Sequence, residues 1–214
     1  MQLISINVSK PKNIEYNGET LLTGIFKTPC NGPVLVNKEN MDGDAQADLK
    51  NHGGIHKAVY AFSYDQYNDW RDTLRNPNLK PGAFGENLTI SALNESDIYI
   101  GDQFSLGECL LEVSQPRVPC FKLGIALNNN KAPKLFTQSY RTGVYFRVIK
   151  EGLIKAGEHL EKINELPDSI SIETLFRAYF DKSYVGAQEV YAKALLIKAL
   201  APEWQALMER ASKS

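Results

Sequence analysis

Three stretches of the 214-residue chain carry side chains able to do chemistry. The first is Ser114-Gln115-Pro116-Arg117-Val118-Pro119-Cys120-Phe121-Lys122-Leu123. Before it, Cys109 to Ser114 alternates apolar and polar residues and reads as a strand. After it, Phe121 to Leu127 has helical spacing and no proline. The two prolines read as a rigid turn between strand and helix. Cys120 then stands at or just before the first turn of a helix, facing unpaired backbone N–H groups and the positive end of the helix dipole. Arg117 and Lys122 add positive charge nearby in sequence. All three effects favour thiolate over thiol, the form that attacks electrophiles or binds a soft metal. A free cysteine can also be buried and inert; the Pro-Arg-x-Pro-Cys setting favours the reactive reading.

The second stretch runs from Asn40 to Lys57 and is long for an irregular connection, which is where functional loops occur. Its first half, Met41 to Asp48, is acidic; its second is Asn51-His52-Gly53-Gly54-Ile55-His56-Lys57. The glycine pair allows positive φ and a close approach of backbone to ligand. His52, His56 and Lys57 are donors suited to a phosphate; a solvated loop with incidental histidines fits the same residues. Asp42, Asp44 and Asp48 lack the closing glutamate of a calcium loop and read as solvated carboxylates, or as partners of His52 and Lys57. In the third stretch, Lys80 to Ile90, Gly82 and Gly85 punctuate a loop that enters a strand at Leu88. Glu86 and Asn87 at the strand's start can face a pocket mouth or satisfy turn backbone.

The elements around these stretches read mostly as β-structure. Strands are expected at Leu3–Val8, Thr20–Phe26, Val34–Val36, Ala58–Phe62, Asp97–Ile100, Gln103–Leu106, Cys109–Ser114 and Gly143–Ile149, with a last strand within 154–163 that carries a surface His159. Many short strands with turn signals imply a sheet closing on itself. Ser63 with Gln66 reads as a capping box opening a helix to about Leu74 that buries Tyr67 and Trp70. A second helix covers Ala132–Tyr140. Beyond the linker Leu166-Pro167-Asp168 the period changes to helical, with helices over Ser171–Phe180 and Val185–Leu200 and a last one opened by Pro202. Three helices in so short a segment make too small a core to stand alone. They are expected to pack on the sheet, on each other, or on a second subunit as a homodimer.

A chain 43% hydrophobic and 214 residues long supports one sizeable core, or one domain with a small appendage. A net charge of -1 argues against general nucleic-acid affinity and leaves room for a local basic pocket. Three cysteines, Cys30, Cys109 and Cys120, fit neither a disulfide framework nor a Cys-x-x-Cys metal site and are expected to be reduced thiols in a cytoplasm, with Cys109 in the core. Met1 to Ile6 lacks the features of a signal peptide, and no run is long enough for a membrane span.

Together, the His52-Gly53-Gly54 region, Phe84-Gly85-Glu86-Asn87-Leu88 and Ser114 to Leu123 resemble the motifs of the MOSC family, named for the C-terminal domain of molybdenum cofactor sulfurase, and most closely its bacterial YiiM-type subgroup. The acidic Asp42–Asp48 loop is similar too, with Ala47 where the family would have glycine. The resemblance implies an α+β fold, mainly β: a MOSC-type β-barrel with peripheral helices over residues 1–166 (core about 17–164), then a three-helix domain over 167–214. It implies binding of the molybdenum cofactor, Mo-molybdopterin, with Cys120 as thiolate ligand to the metal. Arg117, Ser114, Gln115, His52, Gly53, Gly54 and Lys57 would lie near the pterin or its phosphate, and Asn87 and Glu86 beside the metal. The implied activity is reduction of N-hydroxylated compounds such as hydroxylaminopurines. The chain has no flavin or haem motif and no cysteine cluster, so electrons are expected from a flavin or iron–sulfur reductase. Two alternatives keep Cys120: a sulfur carrier using its persulfide, and a cofactor-binding protein without catalysis.

Overall fold

The computed structural model describes residues 1–48 and 53–213. Twelve strands are described: β1 Gln2–Val8, β2 Lys12–Tyr16, β3 Glu19–Thr23, β4 Thr28–Pro29, β5 Val34–Val36, β6 Val59–Ser63, β7 Leu88–Ser91, β8 Gln103–Leu106, β9 Cys109–Pro116, β10 Val144–Lys150, β11 Gly152–Ile154 and β12 Glu161–Asn164. Six α-helices accompany them: α1 Tyr67–Leu74, α2 Phe121–Ala126, α3 Ala132–Ser139, α4 Ile172–Phe180, α5 Ala187–Leu196 and α6 Pro202–Ala211. Eight strands form one sheet in the order β12-β8-β9-β10-β6-β7-β1-β4; β6 and β7 run parallel and the other neighbours antiparallel. The sheet comes round on itself. Gln2 bridges His159, Leu3 N–H donates to Glu158 O at 2.8 Å, and Leu160 N–H donates to Met1 O at 3.0 Å, tying β1 to the segment that runs into β12. This is the mixed, mainly β architecture expected from the strand spacing, with helices on its periphery. Among the described residues, no helix is long and apolar enough to cross a membrane.

The alternation along β6 divides the interior in two. Val59 and Ala61 join the main core with Leu3, Ile90, Val113 and Phe146, while Tyr60 and Phe62 point to a second, aromatic cluster with Tyr67, Trp70, Phe84 and Phe136. Successive strand residues face opposite sides, so a strand buried on both faces feeds two cores. The rings of Phe62 and Phe84 lie 4.5 Å apart and those of Phe84 and Phe136 5.4 Å, which fixes α1 and α3 against the outer face of the sheet. The C-terminal helices complete the main core: Phe176, Trp204 and Met208 are buried in the same cluster as the strands.

Several elements differ from the sequence expectation. The hairpin β2–β3 begins at Lys12, between the expected strands Leu3–Val8 and Thr20–Phe26; Asn17 (φ 53°) and Gly18 (φ 81°) form its turn. Two consecutive positive φ values are what an Asn-Gly hairpin turn requires, so the signal is in the sequence. Asp97–Ile100 is no strand but a turn with a single bridge, Tyr99 to Ser171. The capping box is not formed: a 3-10 turn at Tyr64–Gln66 precedes α1, and Gln66 Nε2 donates instead to Glu95 Oε1 at 3.1 Å. Pro116 belongs to β9 rather than to a turn, opposite Val144, because the last residue of a strand can do without its N–H.

Candidate functional site

β9 leaves the sheet at Pro116, and four residues later Cys120, with extended backbone (φ -117°, ψ 173°), is the N-cap of α2. Cys120 is half-buried and lines a cleft of about 670 Å³, its mouth included. The walls come from five separated segments: Thr23 to Lys27, Ala45 to Asp48, Lys57 with Tyr60, Gly85 with Asn87, and Arg117 to Lys122, closed by Tyr145 of β10. Four cationic side chains, Lys27, Lys57, Arg117 and Lys122, line it together with the Cys120 thiol.

Arg117 is 5% exposed, and its guanidinium lies over the rings of Tyr60 (5.0 Å) and Phe136 (5.2 Å). Burial disfavours its charge, but the ionised forms of the neighbouring Tyr60, Tyr145, Cys120 and Glu86 favour it, and the balance puts its pKa above the ordinary arginine value. Its Nη1 is buried without a hydrogen-bond partner, which is costly unless something else completes it. The Tyr60 hydroxyl donates to Thr142 O at 2.8 Å. Burial raises the pKa of both Tyr60 and Tyr145, so both phenols keep their protons at neutral pH.

The floor is a buried polar network. Lys27 Nζ pairs with Asp44 Oδ1, and the same carboxylate accepts from Ser9 N–H at 2.9 Å and from Asn87 Nδ2 at 3.0 Å. Asn87 Oδ1 accepts from Tyr60 N–H at 3.1 Å. Behind Asn87, Glu86 is fully buried. Its carboxylate accepts from Gly82 N–H (2.7 Å), Phe84 N–H (3.1 Å), Thr89 Oγ1 (2.7 Å) and the Tyr67 hydroxyl. Burial pushes the Glu86 carboxyl up against the pull of these donors. Gly82 (φ 90°) is required here: a Cβ would sit 2.5 Å from Lys27 O.

The MOSC domain family model matches residues 48–161, more than half of the chain. The chain belongs to the MOSC domain family. YflK of Bacillus subtilis, itself described as uncharacterized, is 39% identical over 206 residues, spanning 95% of this chain and 91% of its own. A protein named Reductase from Gibberella moniliformis is 36% identical over 159 residues, 73% of this chain but 28% of that protein. The crystal structure of YiiM from Geobacillus stearothermophilus superposes with a TM-score of 0.82 at 31% identity, over 99% of this chain and 98% of that one.

Within this MOSC fold the expected site residues separate into two groups. Cys120, Arg117, Lys57 and Asn87 meet in the cleft. Glu86, Ser114 and Gln115 stand behind it among the described residues. Two of the four donors around Glu86, the Gly82 and Phe84 N–H groups, are the turn backbone it is expected to satisfy; the other two are the Thr89 and Tyr67 hydroxyls. Ser114 Oγ donates to His56 O at 2.6 Å and, alternatively, to Tyr145 O at 3.0 Å, fixing the 3-10 turn Ile55–Lys57 that presents Lys57. Gln115 is paired with Tyr145 across the sheet, its Oε1 buried without a partner. Gly53 and Gly54 precede that turn, Gly54 with φ 88°. His52 lies outside the described residues. His56 Nδ1 is buried without a partner, and burial lowers its pKa.

Asp44 departs from the solvated reading of the acidic loop: it is buried, it pairs with Lys27 and it accepts from Asn87. Lys27, Tyr60 and Tyr145 are the lining residues that sequence reasoning missed. Tyr60 sits in a strand pattern like any core aromatic, and Lys27 carries no local signal.

Proposed function

We propose that this MOSC protein is an oxidoreductase that binds the molybdenum cofactor in the cleft and reduces N-hydroxylated compounds, with Cys120 as the protein ligand to the metal. The observation that carries the reading is one half-buried thiol sharing a cleft with four cations. That donor set fits the group: a single soft sulfur for the metal, and cations for the phosphate of the pterin. The buried Nη1 of Arg117, lacking a protein partner, is the strongest indication that an acceptor belongs there.

When bound, the cofactor supplies two-electron redox chemistry at a metal that accepts oxygen. The chain's own residues bind and orient. Lys57, Arg117 and Lys122 hold the anionic end, Asn87 shapes the wall beside Cys120, and Glu86 and Ser114 brace the turns that present Asn87 and Lys57. Gly53, Gly54 and His52 belong to the segment of Lys57 and are assigned to the cofactor side, while Gln115 stands behind the cleft in β9. The balanced reaction takes R–NHOH with two electrons and two protons to R–NH2 and water, breaking the N–O bond. The electrons come from a partner flavin or iron–sulfur reductase. In support, the Gibberella moniliformis relative is named a reductase and extends well beyond the matched segment.

The test is molybdenum content by elemental mass spectrometry of protein purified anaerobically from a host that makes the cofactor, beside Cys120→Ala. About one metal per chain, lost in the variant, is the expected result. Metal retained in the variant would remove Cys120 as ligand. No metal in either, with a persulfide mass on Cys120, would replace the reductase by a sulfur carrier.

A further inference from the structure

The C-terminal helices reach the cleft. Lys57 Nζ is paired with Glu203 Oε2, from the first turn of α6. The two partners are unequal: the Lys57 side chain is 11% exposed and that of Glu203 53%. Lys57 is therefore fixed in the wall, while Glu203 can swing into solvent. The backbone around Glu203 is held firmly. Ala201 N–H donates to Ser114 O at 3.0 Å, two residues before β9 leaves the sheet at Pro116. Arg147, paired with Glu112 at 2.8 Å, donates from Nη2 to Ala199 O at 2.5 Å, and Trp204 is fully buried. The C-terminal segment thus delivers a negative charge to the edge of a cleft whose lining carries four cations and the Asp48 carboxylate.

We propose that Glu203 is a positioning residue of the cleft: a tethered carboxylate that occupies Lys57 and that an anionic ligand group must displace or share. This rests on the reading of the cleft as an anion site and adds to it a built-in competitor supplied by the C-terminal helices. A neighbouring anion on a half-exposed side chain lowers the affinity for a second anion at the same ammonium, and more so at low salt. An alternative role, in which the pair only staples α6 to the sheet, affects stability and leaves anion affinity alone.

The experiment titrates inorganic phosphate into full-length protein made in a host unable to produce the molybdenum cofactor, by isothermal calorimetry at low and at physiological salt. Wild type, Glu203→Gln, Glu203→Asp, Lys57→Ala and the Lys57→Ala/Glu203→Gln double variant are compared, with thermal melts to show that each is folded. Glu203→Gln should bind phosphate about 2- to 5-fold tighter, as expected for removing one exposed competing charge. The gain should shrink with added salt, disappear in the Lys57→Ala background, and be absent in Glu203→Asp. Unchanged or weaker binding by Glu203→Gln, the same gain without Lys57, or no phosphate binding by the wild type would overturn the proposal. The molybdenum determination fails or succeeds independently, since phosphate reports the anion site whether or not a metal is ever bound.

Discussion

Asp44→Ala should be the most damaging single change in the floor of the cleft, because it strands a buried ammonium. The Lys27 and Asp44 side chains are 8% and 0% exposed. Burial already lowers the pKa of Lys27, and the Asp44 charge is the main force opposing that fall. Removing one member of a buried pair costs about 3–5 kcal/mol, since the other charge stays desolvated without compensation. Here Ser9 N–H loses its acceptor as well, and Asn87 Nδ2 keeps only the longer bond to Asn7 O at 3.4 Å. With a urea slope of about 2 kcal/mol/M, the unfolding midpoint should fall by about 1.5–2.5 M. Adding Lys27→Met to Asp44→Ala should return much of the loss, because the stranded charge goes with it. The pH dependence has a definite sign. The folded variant binds fewer protons at Lys27 than the unfolded chain does, so its stability should rise as pH climbs toward the ordinary lysine value of 10.5. A loss below about 1 kcal/mol, or a double variant weaker than Asp44→Ala alone, would refute the buried-pair argument.

Two further changes test other parts of the frame. Glu95 is fully buried, and burial raises its carboxyl pKa above the ordinary 4.5. Its stabilising protonation is complete below 4.5 and lost as pH rises through the folded value, so Glu95→Gln should gain on wild type in urea melts between pH 4 and pH 7; a pH-independent difference would contradict this. Ser171 Oγ accepts from Thr174 N–H at 3.2 Å and caps α4, so Ser171→Ala should cost about 1 kcal/mol, or about 2–4 °C in a thermal melt, and Ser171→Gly only a few tenths.

Local rules made most of the frame legible. β1, β5, β6, β8, β9, β10 and the helices follow from period-2 and period-3.6 apolar spacing, and Cys120 falls at a helix start because its prolines separate a strand pattern from a helical one. The hairpin at Asn17-Gly18 was missed although its signal is local, a dipeptide whose positive φ values fit that turn. The Ser63–Gln66 box failed for a non-local reason: the Gln66 side chain is committed to buried Glu95, to which its Nε2 donates, rather than accepting from the Ser63 N–H as the box requires.

The cleft itself was only half legible, and the division has one cause. Cys120, Arg117 and Lys57 stand out because their sequence neighbours, prolines and glycines, make them unusual. Lys27, Tyr60 and Tyr145 owe their place to walls that come from elsewhere in the chain. A lysine becomes a buried cation when Asp44 arrives from a loop, and a strand tyrosine becomes a cation platform when Arg117 is laid across it. Glu203 is the extreme case. In sequence it is an ordinary acidic residue in the first turn of a helix, stabilised there by the dipole. Only the docking of Ala201 on Ser114 turns it toward Lys57. A helical tail that looks separable by composition therefore contributes a charge to the cleft, and removing the tail would change the electrostatics at Lys57 even if the sheet survived.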